Sequence, residues 1–230
     1  LRGHARLRGA FQEHDVKKEM ALQKLMDGGV VAVVRLPGDV DLVQLAQALL
    51  AGGVVGFEVT MGNPKALKRI EEVADALGDK CVVGVGTVLD AGTAADAIHA
   101  GAEFVVSPVF DGKIVETTRR WGKLSMPGAF TPTEVFGAWN AGADVVKLYP
   151  GNIGGPAYLQ ELLAPMPFLR LMPSVGVEAG NVGEWMKAGA VMVYAADTLV
   201  LKEAVKKKDW GAITARAREF VEGVKAARGK

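Results

Sequence analysis

The 230-residue chain has a single cysteine, Cys81, set in an apolar run, so neither a disulfide framework nor a cysteine-rich zinc site is available and a reducing compartment fits. Its three histidines, His4, His14 and His99, are scattered and far from the strand ends expected below, which disfavours a metal site and a metal-dependent mechanism. No run of about 18 uncharged apolar residues occurs, which argues against a membrane-spanning helix. Neither sign of charge dominates: 27 Lys and Arg stand against 26 Asp and Glu, a net +1 that gives no general field for nucleic acid or an anionic membrane. Any anionic ligand must be caught locally.

Half the residues are hydrophobic and 23% are charged, enough to bury a sizeable core in one α/β unit or in two smaller ones, the single unit being simpler. Residues 1–9 are rich in arginine and free of acid, as in an ordinary tail or the remnant of a transit peptide. The first origin places the protein in the cytoplasm, the second in the plastid stroma.

From Gly29 onward, short apolar runs alternate with amphipathic stretches, eight times, without a long polar linker. Strands are expected at 30–36, 56–61, 81–87, 104–108, 124–128, 145–150, 169–176 and 191–197. Helices are expected between them at 42–50, 65–77, 94–100, 114–121, 133–141, 158–163 and 182–188. An extra helix at 11–27 precedes the first strand, and one at 210–227 closes the chain. The recurring AGG at 51–53 and AGA at 100–102, 141–143 and 188–190 each precede a strand, as if one βα unit were copied around a ring. The expected fold is an α/β (β/α)8 TIM barrel with an extra N-terminal helix, in one domain: tail and helix at 1–28, barrel core at 29–200, C-terminal helix at 201–230. A doubly wound open sheet has similar spacing.

In a parallel barrel the chemistry sits at the C-terminal ends of the strands. Among the charged residues within the expected strands, Arg35, Glu58 and Lys147 stand out as costly unless paired or used. Alternation places Val145, Lys147 and Tyr149 on one face. If that face is the interior, desolvation and a nearby cation lower the amine's pKa and prepare it to attack a carbonyl. Glu58, sharing a face with Thr60, can move protons. The same two residues also fit an internal ion pair, and the lysine could snorkel to the rim. Arg35 suits bidentate capture of a carboxylate and Thr87 can add a hydroxyl, or both can merely satisfy backbone at the rim. Gly84-Val85-Gly86 lacks the remaining nucleotide-binding fingerprint, and Trp185 and Met186 read as core.

The runs FEVTM, VGVGTVLD, AGAEFVVSP, MPGAFTPTE, AGADVVKLYPG, GGPAYLQELLAPMP and AGAVMVYAADTLV, in order from about Val30 to Val200, resemble the 2-keto-3-deoxy-6-phosphogluconate (KDPG/KHG) aldolases, in a plant- or algal-like or divergent branch. The resemblance implies a class I, Schiff-base lyase that cleaves a 2-keto-3-deoxy sugar acid, with or without a 6-phosphate, to pyruvate and an aldehyde. It implies no metal, no cofactor and a homotrimer. By position, Lys147 matches the Schiff-base lysine and Glu58 the general acid/base; Thr87, Pro108 and Tyr149 match pocket positions. The arginine that many members carry four residues after the glutamate is Gly62 here, which leaves Arg35 as the carboxylate clamp.

At the distal end, where relatives hold phosphate on backbone amides, Pro-Thr-Gly-Gly reads Pro173-Ser174-Val175-Gly176 and Gly-Gly-Ser reads Ala195-Ala196-Asp197. Val175 adds a side chain where backbone must approach closely, and Asp197, expected to cap a helix at 198–205, puts a carboxylate where phosphate would lie. Ser174, Val175, Gly176, Ala196 and Asp197 are therefore expected to line an altered distal subsite. A barrel that has become a scaffold or assembly subunit is the alternative, and a sugar-phosphate isomerase or synthase on the same fold fits the altered motif less well.

Overall fold

The computed structural model describes residues 16–229. The basic segment 1–9, His4, His14 and residues 11–15 of the expected first helix lie outside them. Among the described residues eight strands form: β1 (Val30–Val34), β2 (Gly56–Thr60), β3 (Val82–Gly86), β4 (Phe104–Ser107), β5 (Leu124–Ala129), β6 (Val146–Leu148), β7 (Leu171–Pro173) and β8 (Val193–Ala195). They lie parallel in the order β7-β6-β5-β4-β3-β2-β1-β8, and a parallel bridge between Ser174 and Tyr194 closes β7 onto β8. A ring with both edges joined is the (β/α)8 barrel and excludes the open doubly wound sheet.

Helix α1 (16–28) precedes the barrel. The others are α2 (Leu42–Ala51), α3 (Ala66–Leu77), α4 (Ala91–His99), α5 (Gly112–Arg120), α6 (Pro132–Asn140), α7 (Gly155–Leu163), α8 (Val182–Lys187), α9 (Lys202–Lys206) and α10 (Trp210–Ala227). Two begin earlier than their apolar pattern because an aspartate caps them: Asp90 accepts from Thr93 N at 2.8 Å ahead of α4, and Asp111 from Lys113 N at 2.7 Å ahead of α5. The repeated AGG and AGA runs are one structural device. Gly53, Gly101, Gly142 and Gly189 have φ of 93°, 102°, 95° and 105°, and the residue after each donates back into the preceding helix, as in Val54 N to Leu49 O and Ala190 N to Trp185 O.

Alternation along the strands divides the apolar residues into two cores. One lies between strands and helices, with Phe57, Ile70, Trp185 and Phe220 among its largest members. The other fills the barrel and includes Val31, Phe104, Met126, Val145, Met172 and Tyr194. Leu22 and Leu25 of α1 belong to this inner core, so α1 plugs the N-terminal end of the barrel. Lys18 pairs with Asp144 at 2.7 Å, and Arg228 donates to the carbonyls of Met26, Asp27 and Val191, fastening α1 and the residue after α10 to that floor. The opposite, C-terminal end of the strands is left for chemistry.

Three strands fall furthest short of their expected runs. β6, β7 and β8 stop at Leu148, Pro173 and Ala195 because the chain turns away at Pro150-Gly151, at Gly176 (φ 77°) and at residues 197–199. The expected helix at 198–205 is corrected: α9 begins at Lys202 with Leu201 as its N-cap, so Asp197 caps no helix. Thr198 instead donates to Val177 O at 2.8 Å, and its own carbonyl accepts from Arg216 Nε at 2.8 Å, which holds this stretch as a turn.

Candidate active site

Glu58 in the middle of β2 and Lys147 in the middle of β6 both point into the barrel and are buried, with relative exposures of 1% and 9%. Burial favours the neutral form of each. It pushes the Glu58 carboxyl up to about 7, against the opposing charges of Lys147 and Arg35. Burial likewise pushes the Lys147 amine below the usual lysine range; the Glu58 carboxylate opposes that shift and Arg35 adds to it. The Oε2 atom of Glu58 is buried without a hydrogen-bond partner. The group is thus an acceptor or acid held ready, not a spent member of a structural network.

The glycines of the Gly84-Val85-Gly86 run make room for this arrangement. Glu58 pairs with Gly84 and Thr60 with Gly86 across β2 and β3, and the carboxyl of Glu58 lies where a side chain on Gly86 would be. Likewise the Phe104 ring fills the space over Gly84. Gly128, the strand partner of Lys147, lets the Pro108 carbonyl come in close.

Arg35 stands one residue past β1, exposed at the rim, yet close enough for its charge to act on both buried groups. Its backbone is gripped from both sides by Asn63, a buried residue the sequence reading passed over. Asn63 Oδ1 accepts from Leu36 N at 2.9 Å, and its Nδ2 donates to Val34 O at 2.7 Å and to Thr60 O at 2.9 Å. Arg69 of α3 then holds the following turn by donating to Gly38 O at 2.7 Å. Gly62 is exposed, and a side chain there would meet only the Thr60 hydroxyl, at 3.9 Å.

Tyr149 lies beside Lys147, its ring centroid 4.9 Å from Nζ, so Lys147 and Tyr149 share a face as expected from alternation. A second aromatic ring, Tyr194 of β8, lies 4.8 Å from the same nitrogen. Sequence reasoning missed it, although the same alternation that points Ala196 inward also points Tyr194 inward. Thr87 follows Gly86 at the rim with φ 60°, and Val175 has φ 72°. Left-handed backbone at β-branched residues is a strained conformation, and both stand at the C-terminal mouth.

Thus Lys147, Glu58, Arg35 and Tyr149 are brought together, with Thr87 and Pro108 on the neighbouring strand ends. Ser174, just past β7, is buried and hydrogen-bonded through its backbone to Leu148 O and Gly151 N. Val175, Gly176, Ala196 and Asp197 follow the ends of β7 and β8. Asp197 is exposed and pairs with Lys202 at 2.6 Å. Among the described residues no three His, Cys, Asp or Glu side chains gather as a metal cluster would, and no helix is long and apolar enough to cross a membrane.

Residues 22–216 match the family model described as KDPG and KHG aldolase. The chain is 31% identical over 209 residues to the KHG/KDPG aldolase of Escherichia coli K12, covering 90% of this chain and 98% of that one. Among solved structures it resembles the KDPG aldolase of Legionella pneumophila, in which pyruvate is captured at low pH as a covalent carbinolamine intermediate (TM-score 0.76, 25% identity, 85% of this chain and 96% of that one). It also resembles the 2-keto-3-deoxy-6-phosphogluconate aldolase of Zymomonas mobilis ZM4 with 3-phosphoglycerate (TM-score 0.79, 27% identity, 89% and 96%).

Proposed function

Because the chain belongs to the KDPG and KHG aldolase family, we propose that it is a class I aldolase cleaving a 2-keto-3-deoxy sugar acid to pyruvate and an aldehyde, with Lys147 as the Schiff-base residue. The observation that carries the reading is a buried lysine whose amine is held below its ordinary range, beside a buried carboxyl held near neutrality. The carbinolamine trapped in the Legionella relative supports the same first step.

In this scheme the neutral Lys147 amine adds to the C2 carbonyl, and the carbinolamine loses its hydroxyl as water with a proton from Glu58. The resulting protonated imine is the electron sink. Glu58, now a carboxylate, takes the C4 hydroxyl proton as the C3–C4 pair moves toward nitrogen, releasing the aldehyde and leaving an enamine. Protonation at C3 by the same carboxyl restores the imine, and water returns pyruvate and the free amine. Arg35 and Thr87 hold the substrate carboxylate, with Pro108 and Tyr149 walling the pocket. The chain works as one barrel domain without a metal or cofactor.

We also infer that the preferred acid is unphosphorylated at its distal end. Asp197 and Lys202 neutralise each other, no helix N-terminus begins at residue 197, and Val175 adds a half-exposed side chain to the stretch that would hold phosphate. Exposed Val109, Phe110 and Phe136 supply an apolar surface for a homotrimer, whose mass in light scattering would be three times 24.2 kDa.

The altered distal end also fits a barrel retained as a scaffold, and one experiment separates the readings. Borohydride reduction in the presence of pyruvate adds a pyruvyl mass at Lys147 in the lyase and none in the scaffold. Lys147→Ala abolishes the adduct; full turnover by that variant would end the assignment.

A further inference from the structure

Tyr194 takes no part in the scheme above, yet it lies against the reacting atom. It sits on β8 between Val31 of β1, its strand partner, and Ser174 beyond β7, its bridge partner. Its side chain belongs to the inner core and is 2% exposed. The ring centroid is 4.8 Å from Lys147 Nζ, and the Tyr149 ring lies 4.9 Å from the same atom. Two π faces therefore serve one nitrogen. Of these two rings Tyr149 is 38% exposed, so Tyr194 is the one whose attraction is not weakened by water.

We propose that Tyr194 is a further residue of the reaction site, whose ring face holds the positive charge on Lys147 Nζ, in the free ammonium and in the protonated imine alike. The proposal rests on the lyase reading of Lys147. A cation taken from water into this interior needs compensation, and the groups facing it are few: the Glu58 carboxyl on β2, largely uncharged below neutrality, Arg35 after β1, which repels it, and the two tyrosines. The two rings are the attractive partners that do not titrate away as Glu58 protonates, and of them Tyr194 is the one shielded from water. Tyr194 also fixes the nitrogen's position beneath the mouth by an interaction that makes no demand on the amine's lone pair, which stays free once the amine is neutral.

The test is the pH dependence of the rate at which pyruvate adduct, trapped by borohydride and read by mass, forms on the full chain. The rate rises with pH as the amine loses its proton, and the midpoint of that rise reports Lys147. Replacing the ring by a flexible side chain of similar bulk, Tyr194→Met, removes the cation's partner and moves the midpoint down by about 0.4 to 1.5 pH units. A second series guards against a folding defect. With phenylalanine at position 194 as the reference, mono-, di- and trifluorinated phenylalanines weaken the ring quadrupole with little change of shape, and the midpoint falls stepwise with each fluorine. A midpoint that stays put across the fluorinated series overturns the proposal, as does one that moves upward. Absence of any adduct in the unmodified chain would instead sink the lyase reading on which the proposal rests.

Discussion

The carboxyl of Glu58 occupies the volume that a side chain at position 86 would need: a methyl group on Gly86 would overlap Oε1 and Cδ and lie 2.6 Å from Oε2. The glycine is therefore the seat of the acid, and its replacement tests whether the acid's position matters. Gly86→Ala displaces the carboxyl from this seat. Since a displacement of about 1 Å can cost on the order of a hundredfold in rate, turnover falls by roughly that factor. Pyruvate trapping, which needs chiefly the amine, falls far less. Equal losses in both assays would show that the variant damages the barrel as a whole.

The barrel was legible because its signals are local and repeated. Eight apolar runs and four glycine turns can be read without knowing which strand meets which, and α10 was placed at its observed ends. Lys147 and Glu58 were legible for a related reason, since charge within a buried strand stands out. What escaped was contact across the barrel. Nothing near Tyr194 in the sequence says that its ring meets a lysine from β6, and the Gly86 to Glu58 packing joins two strands in the same way. Asn63 looks like an ordinary turn residue until its bonds to β1 are seen. The mistaken helix start at residue 198 came from treating an aspartate before an apolar run as a cap, when Lys202 claims its carboxylate instead.

Burial of Glu58 makes stability depend on pH. The folded carboxyl titrates at about 7 against an ordinary 4.5, so between these values the folded state keeps a proton that the unfolded state has released. Its contribution is fully present below the ordinary value and is lost as pH rises through 7. Glu58→Gln has no such loss, so the melting temperature of the variant gains on that of the parent from pH 4.5 to 7 and levels off above. The limit is roughly 3 kcal/mol. A constant difference across the window would contradict the raised pKa. In kinetic assays the same variant turns over slowly yet still traps some pyruvate.

Asn63 ties Arg35 to β2, and its removal should be felt at the arginine. Asn63→Ala leaves Leu36 N without its side-chain acceptor and Val34 O with only the Thr60 hydroxyl, at 3.3 Å, costing about 1–3 kcal/mol for the unpaired amide unless water rescues it. With the backbone on both sides of Arg35 loosened, KM for the keto acid rises more than kcat falls, matching Arg35→Ala in direction. A variant destabilised but with unaltered KM would limit Asn63 to a structural role.

The proposed preference at the distal end can be tested on the aldehyde half of the substrate. With Asp197 paired to Lys202 and Val175 standing in the left-handed region, the ends of β7 and β8 hold the Lys202 charge neutralised and a side chain where a glycine would leave the backbone open to phosphate. The ratio of kcat/KM for the unphosphorylated acid to that for its 6-phosphate therefore exceeds one. Asp197→Ser frees the Lys202 ammonium, and Val175→Gly relieves the strained backbone and opens the approach. One unit of charge at about 4 Å in water is worth about 1 kcal/mol, so the first change alone moves the ratio about fivefold toward the phosphorylated acid, and the pair moves it further. If the unaltered protein strongly prefers the phosphorylated acid, the Asp197–Lys202 pair does not set specificity and the phosphate is held elsewhere on the rim.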